Sequence, residues 1–170
     1  KDPILWSRRA TSFYKLERFD EALADYSRAL EIKPSDANSL SMSAEVYLRL
    51  GQFDLALADR NKVIEFEPST NGRYFQRAAV YRERGEYELA LADIEKGFQR
   101  DSIKDFSLFT RAGAYALSGD IYFENLHQHA KAFSQYTKAV ELEPSNAGYL
   151  TKRDNAMQSI TAATAHPVAN

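Results

Sequence analysis

The sequence has no cysteine, which excludes disulfide bonds, thiolate chemistry and cysteine-ligated zinc. No apolar run approaches the roughly 18 residues that a membrane helix needs, and the N-terminus lacks the charged start and apolar core of a signal peptide. We therefore expect a soluble protein without membrane insertion. A protein without cysteine fits reducing and oxidising compartments alike, and the cytoplasm is slightly favoured.

The sequence also lacks an excess of charge of one sign, with a net charge of -2 and a pI of about 6.0. This balance gives no electrostatic footprint for nucleic acid, which we do not expect as a partner. A hydrophobic content of 44% in 170 residues favours a folded domain. Because the chain begins at Lys1 and not at Met, we expect it to be a piece of a longer protein.

A short motif recurs with a period of about 34 residues, which is typical of stacked repeat architectures. Its members in the first copy are Ala22, Leu23 and Asp25, and the later copies contain Ala56, Leu57 and Asp59, then Ala90, Leu91 and Asp93. A second motif precedes each copy and consists of Ala10 and Phe13, Ala44 and Tyr47, Ala78 and Tyr81, and Ala112 and Tyr115. Each repeat therefore has two helical halves with small residues at their contact.

These spacings predict an all-α array over residues 3–164 with one short tail. Its parts are units 3–36, 37–70, 71–104 and 105–146, a capping helix at 147–164 and a tail at 165–170. In the fourth unit the second-helix residues come about eight positions late, which indicates an insertion near 121–128. Eight residues are slightly more than two helical turns, so we expect a longer second helix.

Four residues break or repeat the pattern in ways that carry structural predictions. Glu17 stands where the later units have Gly51, Gly85 and Gly119, so we expect a less favourable left-handed turn in the first unit. Arg60 replaces the aromatic residue on the packing stripe and should extend its charge to water. Arg9 and Arg77 occur in units with Asp25 and Asp93, which predicts a bridge between the two helices of each unit.

These motifs resemble those of the tetratricopeptide repeat family, which implies a right-handed α-solenoid that binds extended peptides or partner helices in a concave groove. The groove is lined by the first helices. Carried over residue by residue, the resemblance gives the candidate groove residues Arg8, Thr11, Met42, Glu45, Arg49, Phe75, Gln76, Ala79, Arg82, Phe106, Phe109, Thr110 and Gly113. The C-terminal phenylalanines suggest an apolar partner site. Alternatively, they contact the insertion or the capping helix and the groove is occluded.

Some family members bind the C-terminal carboxylates of heat-shock chaperones through Lys, Asn and Arg side chains. The matching positions here are Ser7, Thr11, Met42, Gly72 and Gln76, and a register shifted by one unit gives Ser41, Glu45, Gln76, Phe106 and Thr110. Neither set provides a clamp for two carboxylates. We therefore do not expect the chaperone carboxylate tail as a ligand.

The sequence offers no catalytic residues, cofactor site or metal site. His127 and His129 are two residues apart, which directs them to different sides of a helix, and the glycines do not form a phosphate-binding loop. The leading hypothesis is a non-catalytic adaptor for a protein or peptide partner. The alternatives are self-association as an assembly subunit, through Ile121–Leu126 or the first helix at Trp6, and a regulatory domain of a larger protein.

Overall fold

The computed structural model describes residues 2–68, 72–99 and 108–165, and all regular structure in these ranges is helical. The fold is therefore all-α, as predicted. Its helices are α1 Pro3–Lys15, α2 Phe19–Ile32, α3 Ala37–Arg49, α4 Phe53–Phe66, α5 Gly72–Arg84, α6 Tyr87–Gln99, α7 Leu108–Asp120, α8 His129–Leu142 and α9 Ala147–Ala165. None of the described helices is long and apolar enough to cross a bilayer.

The protein divides into two compact units by its internal contacts. The N-terminal unit comprises residues 1–100 and contains the helix hairpins α1/α2, α3/α4 and α5/α6. The C-terminal unit comprises residues 101–170 and contains the hairpin α7/α8 followed by α9. In the N-terminal unit each hairpin also packs on the next, because α2 contacts α3 and α4 contacts α5.

Small residues line the contact between the two helices of each hairpin, as the repeat predicted. The fully buried alanines are Ala10, Ala22, Ala44, Ala56, Ala78 and Ala90 in the N-terminal unit, and Ala112 and Ala132 in the C-terminal unit. A larger side chain there would push the helices apart at a cost of about 1–3 kcal/mol. Aromatic residues such as Tyr26 complete the core beside these alanines.

Each turn inside the three N-terminal hairpins contains one residue in the left-handed backbone conformation. The backbone φ angle is 58° at Glu17, 70° at Gly51 and 86° at Gly85. In the first turn the amide of Arg18 donates to the carbonyl of Phe13 at 3.0 Å, and the other two turns contain the equivalent bond. The prediction of a left-handed Glu17 is confirmed, and among these three turns only the first has a residue with a Cβ at this position.

The insertion lengthens the first helix of its hairpin, so the prediction of a longer second helix was wrong. Helix α7 continues into a π-helical turn, Ile121–Asn125, and the left-handed residue is His127, with φ at 52°, not Gly119. Helix α8 keeps the 14 residues of α2 and α4. The inserted residues favour this solution because Ile121 is fully buried. Gly119 lies within α7 against the ring of Tyr136. A Cβ at this position would overlap the ring, so the glycine provides the space that Tyr136 fills.

Helix α9 lies on α8 and takes the position expected for a cap. Ala156 is fully buried in a cluster with Ala132 and Tyr136. Helix α9 also contacts the last residue of α7. The Nζ atom of Lys152 lies 2.7 and 2.8 Å from the two carboxylate oxygens of Asp120. The exposed residues of α9 are polar or small apart from Met157, which suits the terminal helix of a repeat array.

Candidate functional site

Arginine–aspartate bridges connect the two helices of two hairpins, as predicted. Arg9 donates to Asp25 from Nε at 2.5 Å and from the terminal nitrogen at 2.8 Å. Arg77 donates to Asp93 in the same way, at 2.6 and 2.8 Å. The hydrogen bond from Arg9 holds the pKa of Asp25 below its usual value, with the charges of Arg9 and Arg28 adding to the effect. These bridges orient the hairpin and leave little capacity for a ligand.

We use the term first-helix face for the predicted groove residues on α1, α3 and α5 that reach the surface. They are Arg8, Thr11, Met42, Glu45, Arg49, Gln76, Ala79 and Arg82, all exposed or half-buried. Hydrogen bonds between side chains connect these helices directly. Asn38 on α3 donates to Ser7 on α1 at 3.4 Å, and Arg73 on α5 donates to Ser41 on α3 at 3.2 Å. The three first helices thus form one continuous wall in the N-terminal unit.

Two members of the first-helix face also support the core beneath it. The hydroxyl of Thr11 lies 2.9 Å from the carbonyl of Ser7 and 3.1 Å from the phenolic oxygen of Tyr26. Met42 packs against the cluster that contains Ala10 and Tyr26. Both residues therefore present only part of their surface outward.

Phe75 does not belong to the first-helix face, in contrast to the prediction. It is only 7% exposed, and its ring centroid lies 5.2 Å from that of Phe98. The reason is Gly97, which stands where the first repeat has Ala29 and the second has Val63. A Cβ at Gly97 would overlap the ring of Phe75, so the missing methyl group creates the space that Phe75 fills.

The remaining candidates belong to the C-terminal unit. Phe106 lies outside the described residues, and so do the side chains of Phe109 and Thr110. Gly113 is half-buried on α7, and a Cβ added there would lie 3.9 Å from the phenolic oxygen of Tyr149 on α9. Helix α9 therefore approaches the first helix of the preceding hairpin at the predicted groove position.

Arg60 is buried, so the prediction that it extends to water was wrong. It is 5% exposed and lies between two first helices. Its terminal nitrogens are 3.0 Å from Oε1 of Gln76 on α5 and 3.5 Å from Oε2 of Glu45 on α3. Burial lowers the pKa of Arg60, opposed by the charge of Glu45. Among the described residues its Nε atom has no hydrogen-bond partner.

The polar contacts of Arg60 continue along the wall to Arg73. The guanidinium of Arg73 donates to Oε2 of Glu67 at 2.8 and 3.1 Å, and it lies 3.5 Å from Oε1 of Gln76. Arg73 thus uses all three of its nitrogens, since the remaining bond goes to Ser41. Arg60, in contrast, has one neutral partner and one distant carboxylate.

The repeat contained a signal for the Arg60 contacts that the sequence analysis missed. Thr11 and Tyr26 are hydrogen-bonded and 15 residues apart. Glu45 and Arg60 have the same separation, one repeat later. Applied to the equivalent positions, the first contact predicts the second.

Charge is divided between the two sets of helices in the N-terminal unit. Helices α1 and α5 each carry a net charge of +3, and α3 is neutral. The second helices α2, α4 and α6 carry -3, -1 and -2. The N-terminal unit therefore has a positive wall of first helices and a negative wall of second helices.

The described residues hold no group of three or more His, Cys, Asp or Glu side chains that could bind a metal ion. In the C-terminal unit the ring of His129 lies 5.0 Å from that of Phe123, which is a packing contact. His127 is exposed at the left-handed turn.

Stacked two-helix hairpins with alanine-lined contacts and left-handed turns define the class of α-solenoid proteins. Family comparison is more specific, because one model of the tetratricopeptide repeat matches residues 3–36 and a second matches residues 112–146. The chain is a tetratricopeptide repeat protein. No curated protein sequence matches it significantly.

Solved structures share this fold at low sequence identity. The chain is similar to PilF of Pseudomonas aeruginosa, with a TM-score of 0.80, 15% identity and coverage of 95% of this chain and 70% of that one. It is also similar to MamA, with a TM-score of 0.70, 16% identity and coverage of 99% and 96%. A third similar structure is YrrB, described as a tetratricopeptide repeat protein with an unusual peptide-binding site, with a TM-score of 0.65, 18% identity and coverage of 91% and 76%. At these identities the likeness establishes the fold.

Proposed function

We propose that the protein is a non-catalytic interaction module that binds a peptide or helix of a partner protein along its first-helix face. The observation that carries this proposal is the wall formed by α1, α3 and α5. Its members Arg8, Arg49 and Gln76 reach the surface and contribute little to the core. The fold likeness to YrrB, whose description includes a peptide-binding site, supports the same use of the fold.

The proposed site is polar in the N-terminal unit. Thr11, Met42 and Glu45 form its partly buried floor, and Ala79 leaves room for a backbone to approach. Phe75 is not included, because it is part of the core. In the C-terminal unit, Gly113 and the positions of Phe106, Phe109 and Thr110 remain predicted groove residues.

A displayed random-peptide library selected on the intact protein tests this proposal. We expect enrichment of related sequences on the wild type and loss of that enrichment on an Ala79→Trp variant, because the indole ring fills the space that a bound backbone needs. The matched control is Leu89→Trp, which changes an exposed position on a second helix. Enrichment that survives the first variant and disappears with the control would place binding on the opposite wall and refute the proposal.

Self-association is a second candidate function, favoured by exposed apolar residues on α1. Ile4 is 56% and Leu5 64% exposed, and Leu5 borders a pocket of about 320 Å³ with Asp2, Trp6 and Arg9. In the inserted segment Ile121 is fully buried, which leaves it no part in such a surface. Sedimentation velocity distinguishes the two functions. A concentration-dependent dimer that a Leu5→Lys variant abolishes would support self-association, and a single monomer species would exclude it.

A further inference from the structure

Arg60 occupies a position that the first hairpin fills with a fully buried tyrosine. Tyr26 needs only one polar contact there, from its hydroxyl to Thr11. A guanidinium at the same depth has five N–H donors and a full charge, and burying it is costly unless it is paired and hydrogen-bonded. An Arg in place of an aromatic residue on the packing stripe is therefore unfavourable for stability. Its presence needs an explanation other than core packing.

The hydrogen-bond partners that the protein gives Arg60 do not neutralise it well, and the carboxylate of Asp59, whose charge also acts on Arg60, accepts its hydrogen bond from Ser43. Gln76 is uncharged, and the oxygen of Glu45 is 3.5 Å away, compared with about 2.7–2.9 Å for a charge-assisted hydrogen bond. Among the described residues, Nε has no partner. Arg73 does not help, because it adds positive charge near Gln76 and has Glu67 as its own counterion.

The weak partner of Arg60 is also the one that can be replaced from outside. The side chain of Glu45 is 36% exposed, compared with 6% for Arg60, so the carboxylate can rotate into solvent without disturbing the core. A carboxylate that arrives along the wall between α3 and α5 can then take its place beside the guanidinium. Gln76, which accepts a hydrogen bond from Arg60, also reaches the surface.

The surrounding charge favours such a ligand. Helices α1 and α5 each carry a net charge of +3. Arg8 and Arg49 have no ion-pair partner within the part of the protein that the structure describes. A positive wall attracts acidic segments and repels basic ones, which sets both association rate and specificity.

We propose that Arg60 anchors a carboxylate of the bound segment, so that the first-helix face selects an acidic polypeptide. This inference rests on the proposed function and adds the chemistry of its ligand. The carboxylate belongs to an Asp or Glu side chain of the partner or to the partner's carboxyl terminus. The anchor lies on a second helix, and thus differs from the first-helix positions of the chaperone-tail binders.

Fluorescence anisotropy with a selected peptide tests the anchor. The probe is the sequence most enriched from the random library, synthesised with fluorescein, and its variants carry Asn or Gln for each acidic residue or an amidated C-terminus. The protein variants are Arg60→Met, which removes the charge, and Gln76→Glu, which supplies an internal carboxylate from a position at the surface. Lys62→Gln removes a charge from the outward side of the same helix and serves as the matched control.

We expect Arg60→Met and Gln76→Glu each to weaken binding by about tenfold or more, and Lys62→Gln to change it less than about twofold. Replacing one particular acidic group of the peptide should weaken binding to the wild-type protein by the same factor. The same replacement should not weaken binding to Arg60→Met any further. If the peptide with the amidated C-terminus shows this loss, the bound carboxylate is the C-terminus; if it binds normally, the carboxylate is a side chain. Circular dichroism checks folding, and Gln76→Glu keeps the test valid if Arg60→Met does not fold.

Two other outcomes are distinguishable. Enriched peptides without an acidic position, or with unchanged affinity for both variants, would overturn the anchor and leave the proposed function intact. A library that yields no enriched sequence on the wild-type protein would contradict the proposed function itself.

Discussion

Arg77 and Asp93 form a two-pronged ion pair across a hairpin, with nitrogen–oxygen distances of 2.6 and 2.8 Å. The Asp93 side chain is only 3% exposed, so its carboxylate depends on this one close counterion. Arg9 and Asp25 repeat the arrangement at the same separation of 16 residues. In α3/α4 a hydroxyl replaces the guanidinium, since Ser43 donates to Asp59 at 2.5 Å.

Removing the arginine of this pair should destabilise the protein. We expect Arg77→Met to lower the free energy of unfolding by about 2–3 kcal/mol, because Asp93 is left buried without its counterion. Lys96→Met is the control, since that lysine is exposed and 3.9 Å from Asp93, and it should cost less than about 0.5 kcal/mol. Urea denaturation measures both. Equal effects of the two substitutions would show that the pair is no stronger than a surface contact.

Acid should weaken the α1/α2 hairpin through Asp25. Its pKa is lower in the folded protein than in the unfolded chain, chiefly because of the hydrogen bond from Arg9. The stability contribution is therefore fully present above the unfolded value of about 3.9 and is lost as the pH falls through the folded value. We expect the unfolding free energy of the wild type to fall more steeply below about pH 4 than that of Asp25→Asn. Parallel pH profiles from urea titrations would contradict this assignment.

The turn at Glu17 should become more stable when glycine replaces the glutamate. A φ of 58° strains a residue with a Cβ, and Gly51 and Gly85 show the favoured solution at equivalent turns. We expect Glu17→Gly to raise the unfolding free energy by about 0.5–1 kcal/mol, and Glu17→Ala to leave it nearly unchanged. Thermal and urea unfolding provide the values. A stabilisation by Ala equal to that by Gly would mean that the effect comes from the lost charge.

The Phe75 and Gly97 contact should behave as a coupled pair. Gly97→Ala places a Cβ against the Phe75 ring and should destabilise by about 1–3 kcal/mol. In a Phe75→Leu background the same substitution should cost clearly less, which a double-mutant cycle measures. Gly113→Ala is the matched control, because its nearest neighbour is 3.9 Å away. Additive effects would show that the two residues do not compete for one space.

The sequence predicted those parts of the fold that depend on equivalent residues in successive repeats. The buried alanines, the left-handed Glu17 and the Arg9–Asp25 bridge all follow from one repeat compared with the next. Such features depend on contacts inside one hairpin, which the period fixes. The same comparison identifies Arg60 as an exception, and its partner Glu45 follows from the Thr11–Tyr26 contact only once the structure shows that contact.

Features that depend on volume could not be predicted in this way. Whether Phe75 faces outward is decided by the space left at Gly97, about 22 positions later in the sequence, and no spacing rule connects the two. The insertion presented the same difficulty. An apolar period fits an extension of α7 or of α8 equally well, and the packing of Tyr136 against Gly119 decides for α7.

Binding along α1, α3 and α5 can be observed residue by residue. Two-dimensional ¹H–¹⁵N NMR with the library-selected peptide provides this measurement, because the chemical shift of each backbone amide responds to contact. We expect shift changes concentrated around Thr11, Glu45 and Gln76, with α2 and α6 nearly unaffected. Changes concentrated on the exposed sides of α2, α4 and α6, or around Ile4 and Leu5, would contradict this expectation.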